Sequence, residues 1–389
     1  MKNSIYFDFN ATTPCDPEVV EAMLPYFSET FGNASSQHHA FGWLASDALE
    51  KSAHSIAQGL GVSPNELVFT SGATESINAI IKGVYAHSKG KKNHIITVKT
   101  EHKAVLDVCN YLEQSGARVT YLDVDQNGLI DLDALEEAIT AQTLLVAVMW
   151  ANNETGVLQP LAKISTLCKK HHVLFFSDAT QALGKIPLDD FFSLVDFACF
   201  SAHKIYGPKG MGLMFIKSTV AQELGSFIQG GGQQRKLRGG TYNIPGIVGM
   251  AKAMEINLIK VDENTENYLP LREALEKGLA QIEGTTINAF DVERLPNTVN
   301  ISFSHVDGEQ LLNALSPYLA VSNGSACNSA SVFPSHVLTA MGVATTLAFS
   351  SLRISMGKYT TEEGVRFAVE KIAASVTQLR EKNVLWSQR

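Results

Sequence analysis

The chain has 389 residues, a formal net charge of −8, and a composition that is 45% hydrophobic and 18% charged. These values are typical of a globular protein and exclude a disordered chain, a coiled coil and a collagen-like repeat. The longest apolar run, at 144–151, is far shorter than the ~20 residues of a membrane-spanning helix. No signal-peptide pattern and no basic block stand out. We therefore expect a cytoplasmic protein with no membrane contact and no direct nucleic-acid binding.

Short apolar runs rich in β-branched residues alternate with helix-like segments through the first part of the chain. The predicted strands are Leu67–Thr70, 95–98, 119–122, 144–149, 173–176, 197–200 and Gly212–Ile216. The predicted helices between them are 104–114, 132–139 and 161–171. This alternation predicts an α/β domain with a largely parallel sheet that is buried on both faces.

After Gly249 the pattern changes to long, charged helices, with a predicted break near Pro270. Strands are then predicted at Thr298–Phe303 and 352–356, and a C-terminal helix at 361–379. This pattern indicates a second, smaller α+β domain. We predict a large domain over 16–250 and a small domain formed by 1–15 together with 251–389.

Polar segments follow several predicted strands, where ligands bind in open α/β sheets. The first is SGATES at 71–76, with a helix predicted from Ile77. Small residues and a hydroxyl at a helix N-terminus suit a phosphate, and an ordinary capping acid is the alternative. TEH at 100–102, NNETG at 152–156 and SDATQ at 177–181 follow later strands. We expect these segments to share one pocket.

Lys204 follows another apolar run. It is either a solvated surface charge or an amine held in a pocket, which can form a Schiff base. Asp178 ends a strand that we expect nearby, and an acid that keeps a pyridine nitrogen protonated turns that ring into an electron sink. Together with a phosphate cup at Thr74, Ser201 and His203, this pair is what pyridoxal 5′-phosphate (PLP) requires.

Two further side chains suggest chemistry. Cys327 lies among small, mostly polar residues, GSACNSAS at 324–331, which differ from the bulky apolar neighbours of a structural cysteine. Arg353 lies in a strand-like run, where it must bind a carboxylate of the substrate or of the protein itself. The remaining cysteines stand in no motif and predict no disulfide framework: Cys15, Cys109, Cys168 and Cys199.

The motifs resemble, in order and over essentially the whole chain, those of the cysteine desulfurases, PLP enzymes of the class V aminotransferase group. They are TSGATES, TEH, NNE, DATQ, HK, GGG, RGGT and GSAC. The resemblance implies the PLP-dependent transferase fold of type I, with a mostly parallel seven-stranded sheet, in a homodimer. The Cys loop, about 322–333, resembles the long-loop type that serves iron–sulfur cluster assembly, nitrogen fixation and tRNA thiolation.

The resemblance also implies roles for individual residues. Lys204 would bind the cofactor covalently and move a proton, His102 would stack on its ring as an acid/base, and Cys327 would accept sulfur. The other implied cofactor contacts are Ala73, Thr74, Asn153, Asp178, Gln181, Ser201, His203 and Thr241 of the partner subunit. The implied contacts to the substrate are Asn33, Asn153 and Arg353, and Arg353 with Asn33 would hold the cysteine carboxylate.

The implied reaction converts L-cysteine to L-alanine and leaves a persulfide on Cys327. Sulfur-acceptor proteins would then receive the sulfur, either a cluster scaffold or proteins of tRNA or DNA thiolation. The alternatives are a selenocysteine lyase, an aminotransferase on the same fold and a catalytically idle binding homologue. The chain departs from the family pattern at Ala34 and Gln233, and its short C-terminus speaks against docking of the cluster scaffold.

Overall fold

The computed structural model describes residues 4–323, 334–383 and Trp386. The strands β1 to β12 are Ile5–Tyr6, Leu67–Thr70, His94–Val98, Arg118–Leu122, Thr143–Ala147, Leu174–Asp178, Phe197–Ser201, Gly212–Ile216, Thr285–Ile287, Thr298–Phe303, Leu319–Ala320 and Ser351–Ser355. The helices α1 to α14 are Pro17–Met23, Pro25–Ser28, Ala40–Leu60, Ala73–His87, Lys103–Gln114, Leu132–Ala138, Leu161–Lys170, Phe191–Leu194, Ile244–Leu258, Val261–Leu279, Gly308–Leu315, His336–Ala340, Thr345–Phe349 and Glu362–Glu381.

A seven-stranded sheet in the order β2-β8-β7-β6-β5-β3-β4 lies at the centre. β8 pairs antiparallel with β2 and β7, and the other neighbouring strands pair in parallel. All residues of β3, β5, β7 and β8 are buried. Strands buried on both faces consist of continuous apolar runs, which is why the sequence revealed them. The predicted α/β fold is confirmed.

Helices cover both faces of this sheet. Phe175 and Phe176 are neighbours in β6 but belong to different core clusters, because successive side chains of a strand point to opposite faces. The Phe175 cluster includes residues of α3, α7 and α9, and the Phe176 cluster includes residues of α4 and α5. The carboxyl edge of the sheet is left for loops.

A second, antiparallel sheet has the order β12-β10-β9. Its core includes Val299 and Leu352 with residues of α10, α11 and α14, and Phe7 from near the N-terminus is fully buried among them. β1 pairs in parallel with β11. These contacts support the predicted small domain, and its boundaries, 1–15 and 251–389 against 16–250, stay a prediction.

Two predicted helix boundaries are wrong. α4 begins at Ala73 rather than Ile77, so the polar SGATES segment supplies its first turn. α10 runs through Pro270, and the break in the helical region lies at 259–260 instead. A proline removes only one helical hydrogen bond, and α10 buries Tyr268, Leu275 and Leu279 along its length. Tertiary packing therefore outweighs the local preference.

Within the described part of the chain, none of the helices is both long and apolar enough to cross a membrane.

Candidate active site

A cavity of about 580 Å³ opens at the carboxyl edge of the large sheet. The predicted residues that line it are Ala73, Thr74, His102, Asn153, Asp178, Gln181, Ser201, His203, Lys204 and Arg353. These residues come from chain positions between 73 and 353, and the parallel strands bring them to one edge. The expected shared pocket is confirmed.

The N-terminus of α4 forms one wall of the cavity. Its first-turn N–H groups have no partners within the helix, and the helix dipole favours an anion there. Gly72 precedes the helix with φ of 154°, and a Cβ placed on it would lie 3.8 Å from the Ser201 hydroxyl. A Cβ on Gly212 of β8 would lie only 2.5 Å from the Gly72 Cα. The close approach of these backbones therefore requires glycine at 212.

The capping acid of the alternative interpretation is also present. Glu75 Oε2 accepts a hydrogen bond from the Ser71 N–H at 2.8 Å, and Glu75 Oε1 lies 2.9 Å from Arg238 Nε. Because Glu75 is already paired with Arg238, it adds no free negative charge at this helix end. Capping and anion binding are thus compatible here.

His203 is half-buried in the cavity wall, with Nδ1 3.1 Å from the Thr12 hydroxyl. Burial, reinforced by the charge of Lys204, lowers the pKa of His203 to about 4. The imidazole is therefore neutral at neutral pH, and it acts as a hydrogen-bonding group rather than as a cation.

Lys204 lies in the 3₁₀ turn Ala202–Lys204, directly after β7. Its Nζ donates hydrogen bonds to the backbone carbonyls of Asn10, at 2.5 Å, and Ala11, at 2.7 Å. The amine is thus held at the cavity by the N-terminal segment. The surface-charge interpretation of this lysine is wrong.

Asp178 ends β6, and its Oδ1 accepts a hydrogen bond from the Thr180 N–H at 2.9 Å. Two further acidic groups lie close to it. Burial, reinforced by the charge of Asp178, raises the pKa of both Glu101 and Cys199 well above their usual values. Both neighbours therefore stay protonated and do not compete with Asp178 for a cationic group.

His102 is the N-cap residue of α5. Its Nδ1 accepts a hydrogen bond from the Ala104 N–H at 3.1 Å. An accepting Nδ1 leaves the ring proton of the neutral imidazole on Nε2. The helix start therefore sets both the orientation and the tautomer of this ring.

Arg353 lies in the middle of β12 with its side chain buried. Its Nη2 lies 2.7 Å from Asp8 Oδ1, and its Nη1 donates to the Asn153 carbonyl at 3.0 Å. Its Nε is buried without a hydrogen-bond partner among the described residues. The guanidinium is therefore held by a protein carboxylate, and because Arg353 also lines the cavity, its contact to a substrate carboxylate stays a prediction.

The donor set fits PLP. The cavity offers the Lys204 amine, the Asp178 carboxylate and the N-terminus of α4 with the hydroxyls beside it. Its volume lies in the range of small-molecule sites, ~300–1,000 Å³. Arg353 also lines this cavity and adds a guanidinium, a group suited to a carboxylate.

A family model described as aminotransferase class-V matches residues 5–367. The chain belongs to this family. A cysteine desulfurase IscS from Neisseria gonorrhoeae (strain ATCC 700825 / FA 1090) is 48% identical over 386 residues, which are 99% of this chain and 95% of that relative. A cysteine desulfurase IscS from Anaeromyxobacter sp. (strain K) is 46% identical over 387 residues, 99% of this chain and 96% of that relative.

Solved structures show the same similarity. A NifS-like protein has a TM-score of 0.89 at 42% identity and covers 96% of this chain and 100% of its own. SspA in complex with cysteine has a TM-score of 0.80 at 36% identity and covers 92% of this chain and 99% of its own. The resemblance to cysteine desulfurases and the PLP-dependent fold are confirmed. This member of the class V aminotransferase family is therefore a PLP enzyme.

Two predicted site residues, Asn33 and Thr241, are not among the described residues that line the cavity. Asn33 is exposed, and its Oδ1 accepts a hydrogen bond from the Ser35 N–H at 2.9 Å. Thr241 is exposed in the segment before α9. Cys327 lies outside the described residues. The roles given to these three residues stay predictions.

The sequence analysis missed Asn10, which is 1% exposed. Its carbonyl accepts hydrogen bonds from Lys204 Nζ and from Gln181 Nε2, the latter at 2.9 Å, and its Nδ2 donates to the Thr298 hydroxyl at 2.9 Å. Asn10 thus connects the large sheet to β10 beneath the cavity. Its place just before the short segment ATTP at 11–14, where the resemblance to the family begins, was the available sequence signal.

Proposed function

We propose that Lys204 binds PLP in this cavity and that Cys327 takes the sulfur when the enzyme converts L-cysteine to L-alanine. The observation that carries the proposal is the convergence of the Lys204 amine, the Asp178 carboxylate and the α4 N-terminus on one cavity. Relatives named cysteine desulfurase, at 46–48% identity over nearly the full chain, support this activity.

The chain's side chains would hold the cofactor at several points. Bound PLP withdraws electrons from the substrate Cα, so that the Cα proton becomes acidic and the β-sulfur becomes open to attack. Asp178 would keep the ring nitrogen protonated, and His102 would stack on the ring face. The residues that would bind its phosphate and its ring oxygen are Ala73, Thr74, Ser201, His203, Gln181 and Asn153.

Lys204 would act a second time, as the base. Its Nζ would be positioned for this role by its hydrogen bonds to the Asn10 and Ala11 carbonyls. An amine fixed there would take the Cα proton and return it elsewhere on the substrate. Arg353, aided by Asn33, would hold the substrate carboxylate throughout.

Cys327 would attack the substrate sulfur as a thiolate. The new S–S bond forms as the C–S bond breaks, and the carbon keeps the electron pair and gains a proton to give alanine. The other cysteines are poor thiolates, because burial raises the pKa of Cys109 and Cys168 to about 12 and raises those of Cys15 and Cys199.

Homodimer formation would complete the site with Thr241 of the partner subunit. A group of large apolar side chains is exposed between residues 20 and 44, which supports an interface. They are Val20, Leu24, Phe27, Phe31, Phe41, Trp43 and Leu44. We place the enzyme in the cytoplasm, where a cluster scaffold or proteins of tRNA or DNA thiolation would take the sulfur.

The test is anaerobic incubation of the PLP-loaded protein with L-cysteine, followed by an alanine assay and mass spectrometry of the Cys327 peptide. We expect alanine and a gain of one sulfur on Cys327. Lys204→Ala should form no alanine, whereas Lys217→Ala, which removes a lysine bound to the Ser193 carbonyl, should match the wild type. Alanine formation by Lys204→Ala would overturn the proposal. Turnover of L-selenocysteine alone would identify a selenocysteine lyase.

A further inference from the structure

Lys185 is a buried lysine to which neither the motifs nor the reaction gives a role. It follows β6 and is 6% exposed. Its Nζ donates hydrogen bonds to Asn10 Oδ1, at 2.9 Å, and to Gln181 Oε1. Its own carbonyl accepts a hydrogen bond from the Thr265 hydroxyl at 3.1 Å, which ties this turn to α10.

The surroundings of Lys185 are cationic. Burial lowers the pKa of Lys185 well below its usual value, and the charges of Lys204 and Arg353 act in the same direction. Lys185 and Lys204 also line a second cavity of about 10 Å³, which is about the size of one water molecule. A buried amine is unfavourable unless its hydrogen bonds are satisfied, and here both acceptors belong to amide side chains.

Gln181 is the link between Lys185 and the active site. Its Oε1 is occupied by Lys185, and its Nε2 donates to the Asn10 carbonyl, which also accepts from Lys204. A glutamine amide has one carbonyl end and one N–H end, and a donor at Oε1 fixes which end lies where. With Oε1 bound to Lys185, the second Nε2 proton is available to the active-site cavity that Gln181 lines.

We propose that Lys185 is a positioning residue that orients the Gln181 amide so that an N–H group, and not the carbonyl oxygen, faces the ring oxygen of the bound cofactor. This inference rests on the proposed cofactor site. A donor to that oxygen stabilises its anionic form and weakens its hold on the proton shared with the linked Lys204 nitrogen. Lys185 thereby lowers the pH at which this proton is lost.

The test is a pH titration of the visible absorption of the loaded enzyme without substrate. In Lys185→Met, which keeps the side-chain length but removes the donor, the midpoint should rise by about one pH unit. In a Gln181→Ala background, Lys185→Met should produce no further shift, because Lys185 acts through Gln181. An equal shift in both backgrounds, or no shift in either, would overturn the proposal. The matched control is Lys169→Met, far from the cavity, which should titrate as the wild type does.

Circular dichroism and thermal unfolding establish that each variant is folded. If Lys185→Met does not fold, Lys185→Arg decides, because arginine keeps hydrogen-bond donors at this position. Lys185→Arg should retain the wild-type midpoint of the pH titration. A shift of this midpoint as large as that in Gln181→Ala would count against the proposal. Absence of a cofactor absorption band from the wild-type protein would instead contradict the proposed function.

Discussion

Arg353 of β12 and Asp8, just after β1, form an ion pair with 2.7 Å between Nη2 and Oδ1. The pair joins residues 345 positions apart, and the Asn153 carbonyl holds the same guanidinium from the large sheet. A side chain held at two points loses little conformational freedom when it binds a ligand. The geometry thus fixes the orientation of the guanidinium, as the proposed contact to a substrate carboxylate requires.

Arg353→Lys should raise the KM for L-cysteine about 10- to 100-fold with a smaller effect on kcat, because a lysine ammonium does not reproduce the planar guanidinium contact proposed for the substrate carboxylate. Steady-state alanine kinetics measure this. Asp8→Asn should raise KM less, since the hydrogen bond survives and only the charge is removed. Arg366→Lys, at an exposed ion pair with Glu362, is the control. An unchanged KM in Arg353→Lys would contradict the assignment.

Cys327→Ser should bind PLP and L-cysteine but form no protein persulfide. The four remaining cysteines do not substitute for it, because their thiols have raised pKa values and three of them are buried. Peptide mass spectrometry after anaerobic incubation with L-cysteine measures which cysteines carry a persulfide. Cys15→Ser, at the one of these four that is only half-buried, should keep wild-type persulfide formation. A persulfide on any other cysteine in Cys327→Ser would refute the choice of acceptor.

Glu101→Gln should stabilise the protein at pH 8. Burial raises the pKa of Glu101, so the folded protein keeps its proton while the unfolded chain ionises above about pH 4.5. The free energy of unfolding therefore falls as the pH rises above that value, and glutamine removes this loss. We therefore expect Glu101→Gln to unfold at a higher urea concentration than the wild type at pH 8.

Urea unfolding of the wild type and Glu101→Gln at pH 5 and pH 8 checks this prediction. The difference in the free energy of unfolding, in favour of the variant, should be larger at pH 8. The Met149 N–H donates to Glu101 Oε1 and should find the glutamine carbonyl in its place. Glu113→Gln, at an exposed carboxylate bound to the Tyr121 hydroxyl, is the control. A variant that is less stable than the wild type at pH 8 would mean that Glu101 is ionised in the folded protein.

His94 should make the protein less stable in acid. It is fully buried between the Thr143 and Thr120 hydroxyls, and burial lowers its pKa to about 4. Between about pH 6.5 and pH 4 the unfolded chain binds a proton that the folded protein does not. The free energy of unfolding therefore decreases by about 1–3 kcal/mol as the pH is lowered through this range. His203 adds a change of the same sign.

Thermal unfolding between pH 7 and pH 4 should thus show a shallower loss of stability in His94→Gln than in the wild type. His54→Gln, at an exposed histidine, should follow the wild-type profile. Parallel profiles for wild type and His94→Gln would show that His94 does not account for the acid sensitivity.

The predictable parts of the fold and site share a physical cause. The predicted strands Leu67–Thr70 and Gly212–Ile216 match the structure residue for residue, because buried strands consist of uninterrupted apolar runs. The candidate residues at strand ends, such as Asp178 and Lys204, converge because parallel strands share one carboxyl edge. Helix boundaries were less predictable. The continuation of α10 through Pro270 depends on tertiary packing, and the start of α4 depends on the turn before it.

The sequence by itself determined the α/β fold, the family and many of the residues that line the cavity after the strands, because these are properties of local patterns and of motif order. Tertiary structure alone decided which distant residues come into contact: Asn10 with Lys204, Asp8 with Arg353 and Asn10 with Lys185. The first two pairs are separated by 194 and 345 positions along the chain. No local pattern encodes such contacts, because a buried polar group takes whichever partner the folded chain brings within hydrogen-bond distance.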